Sequence, residues 1–187
     1  MTDKERLDLM MATNLSEIVK EDFLKWLAEN GFFTAPASTK YHGNYEGGLF
    51  DHSFMVMNLL VELSAANGLK WKRPASPFLV GMFHDLCKID QYKHPATGMV
   101  ADNEPIYDPI AWEYNNDTMY KGHGDKSIIL LSQFTTLTDE ETACIRYHMG
   151  AFTEKEEWRD YTRAVHTFPN VLWTHQADML ASHVVGI

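Results

Sequence analysis

The sequence predicts an all-α fold, a helical bundle carrying one irregular insert, and three observations lead there. Apolar residues recur at spacings of three and four along most of the 187 residues. Helix punctuation stands where those runs begin or end: Asn30-Gly31, Asn67-Gly68 and the capping box Thr138-Asp139-Glu140-Glu141. One stretch, 89–122, abandons the pattern, with Pro95, Gly98, Pro105, Pro109 and the run Asn115-Asn116-Asp117.

Taken in order, 14–30 reads as an amphipathic helix, with Leu15, Ile18, Val19, Phe23, Trp26 and Leu27 on one face. Segment 49–66 is apolar nearly all round, so that helix belongs at the centre. Segment 77–88 is a second buried helix, with Pro77 suited to its first turn. The insert 89–122 is expected to be irregular, with a hairpin over 112–120. A long irregular connection in a compact chain is usually functional. Helical texture returns over 124–134, 138–149 and 169–185, and more weakly over 155–166.

Composition bounds the function. The net charge is −10, from 16 Lys plus Arg against 26 Asp plus Glu. That balance argues against general nucleic-acid binding, which needs a basic footprint. Two cysteines, Cys87 and Cys144, make no disulfide framework, so a reducing, cytoplasmic setting is expected. Residues 1–8 are charged with mixed sign, unlike a signal peptide, and no apolar run approaches the ~20 residues of a membrane span, so no membrane association is expected. Acidic composition and aromatic content leave a homo-oligomer open. The unusual number is nine histidines.

Their positions are informative. His52 shares a helical face with Met55, Val56, Leu59 and Leu63; alone it reads as a core histidine. His84 and Asp85 are adjacent at the end of the next apolar helix. Burying them needs compensation, by a metal or by an ion pair with Lys88. His123 lies between Gly122 and Gly124, where backbone and ligand can approach closely. His148 closes a helix, a place the helix dipole favours anyway. Asp178 belongs to a polar stripe with Thr174, His175 and Ser182 that carries no Lys or Glu, as an inward-facing stripe would. Together, His52, His84, Asp85, His123, His148 and Asp178 can hold two divalent ions. With two such ions the formal charge is +4 − 2 = +2, a local trap for phosphate in an acidic protein. Imidazole and carboxylate donors without thiolate suit Mn, Fe, Co, Ni or Zn. His42, His94, His166 and His183 read as loop or surface residues, and His175 either as a partner of the site or as packing.

The order His52, His84-Asp85, Asp178 resembles the H…HD…D signature of the HD-domain superfamily of metal-dependent phosphohydrolases. The contexts agree: Gly47-Gly48-Leu49-Phe50-Asp51-His52-Ser53 around the first His, Phe83-His84-Asp85-Leu86-Cys87-Lys88 as an HD-x-x-K helix end, and Ala177-Asp178-Met179-Leu180-Ala181-Ser182 around the last Asp. The resemblance spans about 41–184 and implies one HD domain over 1–187, with N-terminal helices from 1–40 packed on it. It implies His123 and His148 as the extra ligands of dinuclear members, with Asp85 bridging.

The activity implied is hydrolysis of a phosphomonoester or phosphodiester of a small phosphorylated substrate, a nucleotide by preference. Asp85 and Lys88 are the catalytic residues, and Lys88 and Lys126 the substrate contacts. Tyr92, His94 and the insert up to Tyr120 would form a lid, with Tyr107, Trp112 and Tyr114 available to stack a base. The GYP signature and the additional upstream glutamate of the cyclic-dinucleotide phosphodiesterases are absent, so that specificity is not expected. The rivals are a mononuclear HD nucleotidase using only the four signature ligands, a di-iron oxygenase of the myo-inositol oxygenase type, and a binding module without catalysis.

Overall fold

A computed structural model describes residues 1–100 and 104–187. The architecture is predominantly helical, as expected. Eight α-helices stand among the described residues: α1 (Asp3–Met11), α2 (Glu21–Glu29), α3 (Gly48–Asn67), α4 (Ser76–Phe83), α5 (His123–Leu131), α6 (Asp139–Arg146), α7 (Trp158–Thr167) and α8 (Asn170–Leu180). Among the described residues, no helix is long and apolar enough to cross a membrane.

The nearly all-apolar α3 is the central element and packs along both α4 and α8. Gly81 lets α3 and α4 touch through their backbones: a Cβ there would lie 2.4 Å from the Met57 Cα. The N-terminal part shares this core through aromatic rings. Phe23 of α2 packs on Phe83 of α4 at 5.1 Å and stacks on Phe134 at 4.7 Å between centroids. On the far side, buried Glu140 and Glu141 open α6 and tie it to its neighbours. Glu140 accepts from Lys72 N and Asn170 Nδ2, and Glu141 accepts from Arg73 and Ser76. The Thr138 capping box is formed as its sequence predicts.

Several boundaries differ from the sequence expectation. Segment 14–30 is two pieces, a 3-10 turn (Asn14–Glu17) capped by Thr13, and α2. Lys20 is extended between them, so Leu15, Val19, Phe23 and Leu27 are all buried without one continuous helix. Helix α1 stands upstream, opened by a Thr2–Glu5 capping box that the sequence reading passed over. Segment 77–88 splits at its most consequential place: α4 stops at Phe83, Asp85 turns, and a 3-10 turn (Leu86–Ile89) follows. The last helix gives way at Ala181 to a π-turn (Ala181–Val185).

The hairpin expected over 112–120 is not there. The insert instead holds two small antiparallel pairs. Strand β1 (Tyr92–Lys93) pairs with β4 (Glu113–Tyr114), and β2 (Ala96–Met99) pairs with β3 (Pro105–Tyr107). Tyr92 and Tyr114 face each other across the first pair, 5.3 Å between rings. The Asn115-Asn116-Asp117 run is a turn fastened by the Asn115 side chain to the Asp90 carbonyl, so it closes the insert rather than centring a hairpin.

Candidate metal centre

Five parts of the chain deliver six donors to one spot. His52 sits in the second turn of α3, His84 caps α4, and Asp85 occupies the break that follows. His123 begins α5, His148 lies in the turn after α6, and Asp178 is in the last turn of α8. The break after α4 is what makes the HD pair work: in a continuous helix, adjacent side chains point about 100° apart.

Three imidazoles are aimed in the same manner. His84 Nδ1 donates to the Gly81 carbonyl and His148 Nδ1 to the Ile145 carbonyl, each at 2.8 Å and three residues back. His52 Nδ1 donates to the Ile187 main-chain oxygen at 2.9 Å. These partners only accept, so each Nδ1 carries a proton and Nε2 is the nitrogen left to face the cluster, as in metal-ligating histidines. All three Nε2 atoms are buried and have no hydrogen-bond partner. Leaving buried polar atoms unmatched costs about 1–3 kcal/mol each.

What those atoms face is Asp85 and Asp178. Asp85 Oδ2 lies 3.6 Å from His52 Nε2 and 3.5 Å from His84 Nε2. Asp85 Oδ1 lies 2.7 Å from His123 Nε2 and 3.4 Å from His148 Nε2. Asp178 Oδ1 lies 3.3 Å from His52 Nε2. Ligands about 2.1 Å from a tetrahedral ion are roughly 3.4 Å from one another, so the 3.3 to 3.6 Å separations suit donors around a shared ion, while His123 hydrogen-bonds Asp85 directly. Three overlapping groups meet that requirement: His52, His84 and Asp85; His84, His148 and Asp178; Asp85, His123 and His148. The buried cluster could therefore bind a metal ion, and its donors are those the sequence brought together.

Electrostatics match the geometry. Burial would push the Asp85 carboxyl up, but Lys88, His84 and His123 together hold it well below the ordinary range. Burial likewise works against Asp178, and His52 and its neighbours hold it down too. His84 feels burial pulling its pKa down and Asp85 and Asp178 pulling it up, with a net rise. For His123 burial wins over Asp85, and its pKa falls. Cys87 lies 3.6 Å from His123 Nδ1, yet burial pushes its thiol up to about 12, leaving it a neutral packing group.

The two lysines separate. Lys88 is buried with its Nζ 2.7 Å from Asp85 Oδ2, and it lines the cavity over the cluster. A carboxylate oxygen has two lone pairs, so this contact leaves one for an ion. Lys126 is also buried, which rules out a solvated surface lysine, and its ammonium is paired with Asp90. It faces a smaller side cavity of about 220 Å³ rather than the cluster.

The cavity over the cluster measures about 470 Å³ and is walled by Tyr41, His42, Tyr92, Tyr114, Phe152 and His175. A somewhat larger cleft of about 550 Å³ lies between residues 34–46 and the insert, but none of the cluster's donors lines it. There His94 and Trp112 stack at 3.9 Å, so Trp112 does not overhang the cluster, and Tyr107 stands exposed on β3. His175 is a support: its Nδ1 donates to the His148 carbonyl at 2.8 Å.

His42 is the residue the sequence reading missed. Assigned to a loop, it is half-buried against His52, with ring centroids 4.8 Å apart. Burial lowers its pKa to about 4, and the nearness of His52 acts in the same direction. Loop residues carry no helical period; only the neighbouring Gly43, Gly47 and Gly48 signalled a close approach.

Set against known proteins, the chain matches no family model, and no curated protein or solved structure matches it significantly. The helical fold and the buried His/Asp cluster are compatible with an HD-type site.

Proposed function

We propose that the protein is a metal-dependent phosphohydrolase acting on a phosphate ester, a nucleotide by preference, with six ligands for two divalent ions. The observation that carries this reading is the division of labour within Asp85: one carboxylate oxygen faces His52 and His84, the other faces His123 and His148. A carboxylate shared in this way suits a bridge between two ions, which a mononuclear site would not need. The resemblance to the HD signature in the sequence supports the same ligand set.

When bound, such ions supply a water acidic enough to act as nucleophile near neutral pH, and positive charge for phosphoryl oxygens. The chain's own residues do the rest. The main-chain oxygens of Gly81, Ile145 and Ile187 hold each Nδ1 and leave each Nε2 facing the cluster. Lys88 holds Asp85 ionised and offers its remaining ammonium hydrogens to a phosphate in the cavity. Tyr41, Tyr92, Tyr114 and Phe152 at the rim provide ring surface for a base. Lys126, committed to Asp90, is left out of this scheme.

The test combines metal content with a substrate panel. Protein purified anaerobically without added metal should carry about two Mn, Fe, Co, Ni or Zn per chain and release phosphate from nucleotides. One ion per chain would favour the mononuclear nucleotidase. Two irons with oxygen-dependent turnover would favour the oxygenase. No metal after reconstitution would defeat every catalytic reading.

A further inference from the structure

We propose that His42 is a substrate-contacting residue of this site, its Nε2 hydrogen-bonding an oxygen of the bound phosphoryl group beside Lys88. The inference rests on the phosphohydrolase reading and adds to it a residue outside the ligand set.

His42 Nε2 is buried and without a partner, like the Nε2 atoms of the cluster. Unlike them, it belongs to none of the groups whose donors could share an ion. Its ring lies on His52 and lines the cavity together with Lys88, Asp85 and Asp178. His42 borders the cavity, and its buried Nε2 is without a partner in the protein, which leaves that nitrogen to be matched by a bound molecule after a small turn of the ring. Next to a lysine and a cation-holding cluster, the partner that fits is an anionic oxygen, to which a neutral imidazole can donate.

The loop is built to hold the ring in place. Ser38 Oγ donates to the His42 carbonyl, Tyr41 N donates to Ser38 Oγ, and Ala37 N donates to the Gly43 carbonyl, each at 2.8 Å. Gly43 is left-handed with φ of +58°, and a Cβ on Gly48 would fall 2.0 Å from the Gly43 carbonyl oxygen. The segment is pressed onto the start of α3, and the His42 backbone has little freedom to withdraw from the cavity.

The experiment compares wild type with His42→Ala and His42→Gln in the full chain, loaded with Mn²⁺. Metal content comes from elemental analysis, binding of inorganic phosphate from calorimetry, and turnover from p-nitrophenyl phosphate and bis-p-nitrophenyl phosphate. The expected result for the alanine variant is unchanged metal content and melting temperature, with phosphate affinity and kcat each lower by roughly tenfold to a hundredfold. The glutamine variant, which keeps a donor, should recover part of both. Unchanged phosphate affinity and turnover in the alanine variant would overturn the inference, as would loss of metal in both variants. A wild type that binds Mn²⁺ but neither binds phosphate nor turns over either ester would instead fail the phosphohydrolase reading, and the inference with it.

Discussion

The buried His/Asp cluster and the insert are both irregular in backbone, yet they are built on opposite terms. At the cluster every irregularity is imposed by buried surroundings. The break after Phe83, the turn after Arg146 and the start of α5 each put a donor onto Asp85, and fully buried His52, His84 and His148 surround it. In the insert, the β2–β3 pair is exposed along its whole length, with Met99, Ile106 and Tyr107 in solvent. An exposed two-stranded pair has little stability of its own. The candidate site thus stands where burial fixes the geometry, and the exposed pair stands where little packs.

The sharpest way to break the comparison is Asp85→Ala. It removes the one side chain facing four imidazoles, and should abolish metal retention and lower turnover by at least about a thousandfold. Elemental analysis and steady-state kinetics check this. Retained metal would mean that the cluster does not depend on its centre.

Chelation should come next. A ligand that binds only the folded state stabilises by about 2.7 kcal/mol at a hundred times its dissociation constant. For a chain of this size, removing it should lower the melting temperature by roughly 5–10 °C. The unmatched Nε2 atoms are the reason: without an ion, the folded state keeps them buried and unsatisfied. A melting curve indifferent to chelator would count against metal binding in the cluster.

A smaller effect tests the other buried polar centre. Glu141 is held below its ordinary pKa of 4.5, burial opposing and Arg73, Thr138 and Ser76 prevailing. A carboxyl depressed on folding stabilises above its unfolded pKa, and that stability disappears as pH falls through the folded value. Glu141→Gln should therefore cost about 2 kcal/mol near pH 7. The gap between variant and wild type should close as the pH drops below 4.5. Urea titrations across that range measure it, and a gap independent of pH would assign the loss to packing.

The smallest effect is expected in the insert. Met99→Ser and Tyr107→Ser should each change stability by less than about 0.5 kcal/mol and leave metal content intact. A large loss would show that the exposed pair is more than a tolerated excursion.

The same contrast explains what the sequence revealed. The six donors were legible because they lie on or beside helices with strong apolar periods, and because an HD pair in an apolar helix is hard to explain otherwise. His42 was not, since it approaches the cluster from a loop whose only signals are glycines. Lys126 shows a different limit: sequence gives a cation past His123, but not that Asp90 comes within reach of it. In the insert, Pro and Gly foretold irregularity correctly, while pairings across twenty residues, such as Tyr92 with Tyr114, leave no local trace.

Gly81 joins two of these threads. Its missing side chain lets α4 rest on the α3 backbone at Met57, and its carbonyl aims the His84 ring. The spacing between His52 and His84 is therefore set by main chain against main chain, with no rotamer able to adjust it. For protein engineering, this makes donors and frame separable. The side chains at positions 52 and 84 could be exchanged for other donor types while the spacing of the two helices stays the same. A library that varied the α3–α4 seam would shift His52 against His84 and Asp85.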